Sequence, residues 1–91
     1  MFINMNIDKN KLKALILDKL SRHTYWGGKH TAFDNLQKGV PSHLRNEMKN
    51  AGKELIKEGF LIPKPTSYGL HVSLNPRKKD EINEFIDKYL K

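Results

Sequence analysis

Apolar residues recur along the first part of the chain at the spacing of an α-helix. Four aliphatic side chains fall on one helical face: Leu12, Leu15, Ile16 and Leu20. Asp8 precedes this pattern and is a suitable N-cap, because its carboxylate can accept a hydrogen bond from a free backbone N–H group. The pattern therefore predicts a first helix from Asp8 to Arg22.

The helical pattern breaks at Gly27 and Gly28, which favour a turn or an extended connection. A second, shorter helix is predicted from Thr31 to Lys38. Thr31 is a good N-cap residue for it, and Gly39 suits its C-terminal end.

A longer apolar stripe follows and predicts a third helix from Ser42 to Glu58, ended by Gly59. Its core face holds Leu44, Met48, Ala51 and Leu55. Gly52 lies inside this helix, where glycine costs about 1 kcal/mol relative to alanine. Close approach of another segment of the chain would explain a glycine at that position.

The next segment changes from helical spacing to alternation and predicts a β-hairpin. Phe60–Lys64 forms its first strand, Pro65–Gly69 its turn and Leu70–Leu74 its second strand. Pro63 has no N–H group to donate to a neighbouring strand, so the first strand is expected at a sheet edge.

A final helix is predicted to begin at Asn75-Pro76, a cap residue followed by proline at the first helical position, and to run to the C-terminus. Its apolar side chains are Ile82, Phe85, Ile86, Tyr89 and Leu90. This stripe either closes the core of the monomer or forms the seam of a homodimer.

Length and charge narrow the class of protein. The 91 residues carry a net charge of +7, and 37% of them are apolar. We therefore expect a single α+β domain over residues 1–91, with residues 1–7 loose or adding an edge strand. The excess of positive charge favours a polyanionic partner, with nucleic acid ahead of an anionic membrane.

Several classes of site are disfavoured by composition. The chain has no cysteine, so disulfides, thiolate metal sites and a cysteine nucleophile are ruled out. The four histidines do not follow a zinc-binding spacing, and no catalytic or nucleotide-binding motif is present. We expect a protein that is not an enzyme, needs no cofactor or metal and does not bind a membrane. Without a signal peptide or apolar span, a cytoplasmic location is expected, nucleoid-associated if the partner is DNA.

The order of elements is helix, short helix, long helix, hairpin and helix, with a tight connection at residues 38–41. This order resembles the winged helix–turn–helix superfamily, and the stretch from Ala51 to Ile62 (AGKELIKEGFLI) resembles its junction between third helix and hairpin. The block from Lys64 to Pro76 is also similar to small archaeal proteins of this type. The resemblance covers residues 8–91 and implies a winged-helix fold with a hairpin "wing". Members bind DNA, bind RNA or the ribosome, or serve as protein-interaction modules.

Polar side chains along the third helix suggest where a nucleic acid would bind. Placing residues 100° apart puts four of them within an arc of about 60° opposite the apolar stripe: Ser42, Asn46, Lys49 and Lys53. Arg45 and Lys57 border this arc, whereas Glu47 and Glu54 lie off it. In a major groove, the N-terminal half, with His43, would meet base edges and phosphates, and Lys53 and Lys57 would meet phosphates. The alternative is an ordinary solvated helix face.

Two further segments are candidates for phosphate contact. The hairpin turn offers one charge, two hydroxyl groups and one phenol: Lys64, Thr66, Ser67 and Tyr68. Alternatively, this is a plain turn with Tyr68 packed along the strand. Lys29, His30 and Thr31 would open the second helix, where free N–H groups favour an anion; the alternative there is simple capping by Thr31.

The sequence therefore predicts a nucleic-acid-binding protein, with duplex DNA favoured and transcription regulation as a candidate role. A second hypothesis is binding to structured RNA or the ribosome, because the same basic surface would serve. A third is a protein-interaction module that docks through Tyr25, Trp26 or the final helix. For Trp26 itself, a place in or beside the core is the favoured alternative.

Overall fold

The computed structural model describes residues 8–90 and has an α+β architecture with three α-helices and one three-stranded antiparallel sheet. The expectation about residues 1–7 lies outside the described residues. In chain order the elements are α1 (Lys9–Arg22), β1 (Thr31–Ala32), a 3-10 helix (Phe33–Gln37), a 3-10 turn (Ser42–Leu44), α2 (Arg45–Lys57), β2 (Leu61–Thr66), β3 (Gly69–Leu74), a 3-10 turn (Pro76–Lys78) and α3 (Lys79–Leu90).

The first helix forms as predicted, and Asp8 caps it by accepting a hydrogen bond of 2.9 Å from the backbone N–H of Asn10. Leu15 differs from the prediction, because its side chain is exposed rather than in the core. Helix α1 packs against both α2 and α3, so the arc that it buries is turned away from Leu15. The buried apolar residues of α1 are Leu12, Ala14, Ile16, Leu17 and Leu20.

The predicted second helix from Thr31 to Lys38 is wrong at its start. Thr31 and Ala32 form strand β1, which pairs with β3 in the register Thr31↔Val72 and Ala32↔His71. Only Phe33–Gln37 is helical, as a short 3-10 helix whose N-cap, Ala32, makes no side-chain capping bond. Pairing with a strand forty residues away in sequence overrides the local capping preference of Thr31.

The third helix begins later than predicted. Ser42–Leu44 forms a 3-10 turn, and the α-helix α2 starts at Arg45 and runs to Lys57. Gly59 then adopts a φ of +84°, a left-handed conformation that glycine tolerates and that ends the helix as expected. Ser42 and His43 are therefore not continuous with the regular faces of α2.

The sheet has the strand order β1-β3-β2, so β2 lies at an edge, as the proline at position 63 predicts. The strand is longer than predicted and includes Pro65, which lies opposite Leu70. The turn is correspondingly shorter than Pro65–Gly69, because Thr66 pairs with Gly69 and only Ser67 and Tyr68 connect the strands.

The last helical segment begins at the predicted Asn75 cap, but its first residues, Pro76–Lys78, form a 3-10 turn and the α-helix α3 starts only at Lys79. Asn75 accepts a hydrogen bond of 3.0 Å from the N–H of Arg77 and donates one of 2.9 Å to the carbonyl of Gly59. This cap joins the start of the last helical segment to the end of α2. Ile82 and Ile86 are buried against the other elements, so α3 contributes to the core of the monomer. Among residues 8–90, no helix is long and apolar enough to cross a membrane.

Gly52 marks the closest packing of α2 against the segment that precedes it. A Cβ atom built at this position would lie 3.0 Å from Leu36 Cδ1 and 3.0 Å from Phe33 Cε1. The glycine inside the helix is therefore explained by close approach of another segment, as the sequence predicts. This contact sets how deeply α2 sits against the rest of the fold.

We expect Gly52→Ala to destabilise the protein. Alanine gains about 1 kcal/mol in helix propensity, but overpacking against Phe33 and Leu36 costs about 1–3 kcal/mol. The net loss in the free energy of unfolding should be about 1 kcal/mol, measured by urea denaturation. Gly28→Ala is the control, because nothing lies within 4 Å of its added methyl group. Equal stability of the two variants would contradict this packing account.

Candidate nucleic-acid interface

Two glutamates at the C-terminal end of α2, Glu54 and the C-cap residue Glu58, turn toward α1, whereas Glu47 in the first turn of α2 is exposed and makes no ion pair within residues 8–90. Lys9 Nζ lies 2.6 Å from Glu54 Oε2, and Lys13 Nζ lies 3.1 Å from Glu54 Oε1. Lys13 also donates to the carboxylate of Glu58 at 3.0 and 3.1 Å. Both carboxylates are thus neutralised by lysines of α1, at the partly exposed border between the two helices.

The Lys13 side chain is only 6% exposed, which is unusual for lysine. Burial acts to lower the pKa of Lys13, but hydrogen bonds and charge from Glu58 and Glu54 outweigh it and raise the pKa. In turn, hydrogen bonds from Lys9 and Lys13 hold the pKa of Glu54 below its ordinary value. This cluster links the first half of α1 to the C-terminal end of α2.

The outward side of α2 carries open basic and amide side chains, which we call the basic face: Arg45, Asn46, Lys49, Lys53 and Lys57. All are exposed except Lys49, which is half-buried. Within residues 8–90 none of them makes an ion pair or a side-chain hydrogen bond. Ser42 and His43 are also exposed, on the 3-10 turn just before this face. These four cations are therefore free to meet an external anion.

The hairpin tip projects an aromatic ring into solvent. Tyr68 is 93% exposed, so the alternative in which it packs along the strand is wrong. Thr66 stabilises the turn: its hydroxyl accepts from the N–H of Tyr68 at 3.1 Å and donates to the carbonyl of Gly69 at 2.7 Å. Lys64 and Ser67 are exposed beside it.

The expected anion site at Lys29, His30 and Thr31 lacks the helix N-terminus on which it was based. Thr31 lies in β1, is buried, and its hydroxyl accepts a hydrogen bond from the Asn35 side chain at 2.8 Å. Lys29 turns toward Thr24, whose hydroxyl is 3.1 Å from its Nζ. The side chains of Lys29, His30 and Thr31 thus contact different residues and do not form one anion site, because the segment is extended rather than helical.

His30 contacts His71, a residue that the sequence did not single out. The two Nδ1 atoms lie 2.8 Å apart, and the rings meet edge to face with centroids 4.9 Å apart. His71 also lies opposite Lys64 across the hairpin. The pair depends on β1 joining β3, and the one sign of it in the sequence is that His71 occupies a polar position of an alternating strand.

The aromatic residues Tyr25 and Trp26 are half-buried and pack against the core. The backbone around them pairs with the end of β3: the N–H of Leu74 donates to the carbonyl of Tyr25 at 2.8 Å, and the N–H of Gly27 donates to the carbonyl of Leu74 at 3.0 Å. Trp26 therefore covers the edge of the core, as favoured from the sequence, and does not form a separate exposed platform.

Two kinds of chemistry are thus arranged on the surface: a row of open cations on α2 and a hairpin with an exposed phenol. Among residues 8–90, no group of three or more His, Asp or Glu side chains is arranged to hold a metal ion. The surface is suited to binding an extended anion by charge and hydrogen bonding. Comparison of the chain with protein-family models, with curated proteins and with solved structures finds no match.

Proposed function

We propose that this chain is a winged-helix protein that binds duplex DNA, with α2 in the major groove and the β2–β3 hairpin on the sugar–phosphate backbone. The observation that carries the proposal is the separation of charge around α2. Glu54 and Glu58 are paired with lysines of α1, whereas the basic face has no internal partner. Such open cations are the feature that phosphate binding requires.

The dimensions of α2 support this arrangement. An α-helix with its side chains has a diameter of about 10–12 Å, and the major groove of B-DNA is about 12 Å wide. Asn46 is exposed near the N-terminus of α2 and can form two hydrogen bonds to adenine, while Arg45 beside it can do the same with guanine. Lys49, Lys53 and Lys57 supply point charges for phosphates.

The element order supports the winged-helix assignment. A 3-10 helix and α2 are followed by the hairpin, and the hairpin pairs with the short strand β1 that precedes them. Helix α3 contributes Ile82 and Ile86 to the core of the monomer. The two aromatic residues of α3, Phe85 and Tyr89, are half-buried. A homodimer formed through this helix stays a prediction.

The proposal is tested by fluorescence anisotropy with a labelled random-sequence duplex. Affinity should fall steeply between about 50 mM and about 200 mM salt, because bound counterions are released from each neutralised phosphate. Structured RNA added as competitor distinguishes the alternative: stronger displacement by RNA than by duplex DNA would assign the basic face to RNA. Absence of salt-sensitive binding to either polymer would reject a nucleic-acid function.

Tyr68→Ala should weaken duplex binding about threefold without changing the free energy of unfolding. The side chain is 93% exposed and contributes little to the core, so its loss affects only an external contact. An exposed phenol at the hairpin tip can donate one hydrogen bond to a phosphate, a contact of modest strength in water. Anisotropy titrations measure the affinity, and urea denaturation measures the stability. Unchanged affinity would remove the hairpin tip from the interface.

A further inference from the structure

The face of the sheet that points away from the core carries three basic side chains. Side chains alternate between faces along a strand, and Leu61, Val72 and Leu74 are buried in the core. Lys64 and His71 therefore lie on the opposite face, where they are cross-strand neighbours. His30 reaches the same face, because its ring contacts the ring of His71.

The contact between the two imidazoles limits how many protons the pair can hold. At 2.8 Å, one Nδ1 must donate a hydrogen and the other must accept it. A neutral pair or a pair with one extra proton satisfies this requirement. A second extra proton would put hydrogens on both facing nitrogens, so the contact would break and both N–H groups would become free to donate.

The surroundings of His30 disfavour its protonated form. Partial burial, the Lys64 ammonium and the neighbouring His71 together lower the pKa of His30. Lys29, next in sequence, is directed to Thr24 and the Tyr25 ring instead. Asp34, on the adjoining 3-10 helix, is not among the groups that shift the pKa of His30. Thus no carboxylate is among the groups that shift the pKa of His30.

We infer that His30, His71 and Lys64 form a phosphate-binding site that opens when the histidine pair takes up its second proton. A phosphate oxygen placed between the separated rings accepts a hydrogen bond from each Nδ1–H, and Lys64 adds the third positive charge. The site deepens the proposed function, because it would give the sheet face beside the hairpin a phosphate contact that strengthens in mild acid.

The closing experiment uses inorganic phosphate as the probe and so does not require DNA binding. The ring nitrogens of the ¹⁵N-labelled full chain are followed by NMR from about pH 8 to about pH 5, with and without phosphate. His30 and His71 should titrate as one coupled pair, and phosphate should shift the second step to higher pH, because ligand and proton binding are reciprocal. In Lys64→Gln, the second titration step should occur at a higher pH in the absence of phosphate, because a neighbouring positive charge is gone. The shift that phosphate causes in this step should be smaller than in the wild type.

The duplex provides the second measurement. When the pH is lowered from about 7.5 to about 5.5, the affinity of the wild type for the duplex should rise about two- to fivefold more than that of His71→Gln. Over the same change, the slope of the logarithm of the wild-type binding constant against the logarithm of the salt concentration should steepen by about 0.9. His23→Gln is the control, because His23 is exposed and lies outside this pair. His30→Gln removes the other ring of the pair from a position outside the β-strands, and it should reduce the pH dependence as His71→Gln does.

The two proposals can fail separately. If phosphate leaves the titration of His30 and His71 unchanged, or if the two rings titrate independently, the phosphate site is overturned whatever DNA does. If phosphate shifts the pair but the duplex binds at neither pH, the phosphate site stands and the proposed DNA function fails. If His23→Gln removes the pH dependence as fully as His71→Gln does, the effect is not specific to the pair and the inference is overturned.

Discussion

Replacing Lys49 and Lys53 together by glutamate should weaken binding to every duplex sequence by about 100-fold at low salt. Both side chains lie on the basic face and have no internal partner among residues 8–90. Reversing the charge of these two side chains removes two phosphate contacts and adds two repulsive charges. The slope of the logarithm of the binding constant against the logarithm of the salt concentration should therefore fall in magnitude by about 2. Anisotropy titrations over a salt series measure both quantities.

The matched control changes the net charge equally on other helices. Lys11→Glu with Lys79→Glu replaces two exposed lysines, one in the first part of α1 and one at the start of α3. Both positions favour a carboxylate because they lie near helix N-termini, so folding should be unaffected. If both double variants lose the same affinity, binding reflects overall charge and the basic face is not the interface.

Lys13→Met should lower the free energy of unfolding by about 2 kcal/mol. The Lys13 side chain is almost fully buried and contacts both Glu54 and Glu58, which lie four residues apart at the C-terminal end of α2 and its cap. Without it, Glu58 loses its ion pair, Glu54 keeps only Lys9, and the two carboxylates repel each other across one helical turn. The expected loss is below that of a fully buried pair, because the two glutamates are 38% and 45% exposed and water screens them.

The pH dependence identifies the cause of this loss. The pKa of Glu54 is lowered in the folded protein, so its pairing stabilises the wild type above pH 4.5 and is lost as the pH falls through the lowered pKa. In Lys13→Met, the Glu54 carboxylate keeps only its contact with Lys9, and protonation also relieves its repulsion from Glu58, so acid should cost less stability than in the wild type. Urea denaturation at neutral and acidic pH measures this, with the exposed Lys11→Met as control. Equal stability of the two variants at neutral pH would show that the cluster contributes nothing.

Local pattern was sufficient to predict much of the fold. Helix α1, the hairpin and the Asn75 cap follow from signals within a few residues of one another, such as a carboxylate before an apolar stripe or alternation after a glycine. The basic face of α2 was also predictable, because residues on one helix have a fixed angular relation. Gly52 was predictable as a packing glycine, since its cost in the helix needs a compensating contact.

Three of the missed features depend on contacts between distant parts of the chain. Thr31 has the side chain of a helix cap, yet it pairs with Val72 in the sheet. Lys13 looks like a surface lysine, but two carboxylates of α2 lie opposite it and make its burial tolerable. The His30–His71 contact follows from the same pairing of β1 with β3. No local propensity contains this information, because it arises only when the elements assemble.

The most direct measurement of the central claim is chemical-shift mapping by NMR at low salt, with an unlabelled duplex titrated into ¹⁵N-labelled protein. The account predicts that the largest amide shifts fall on Ser42–Lys57 and on the hairpin tip around Tyr68, and that added salt reverses them. Helix α3, with its acidic first turn at Asp80 and Glu81, should change little. Shifts centred on α3, or none at saturating duplex, would contradict the assignment of α2 as the nucleic-acid-binding helix.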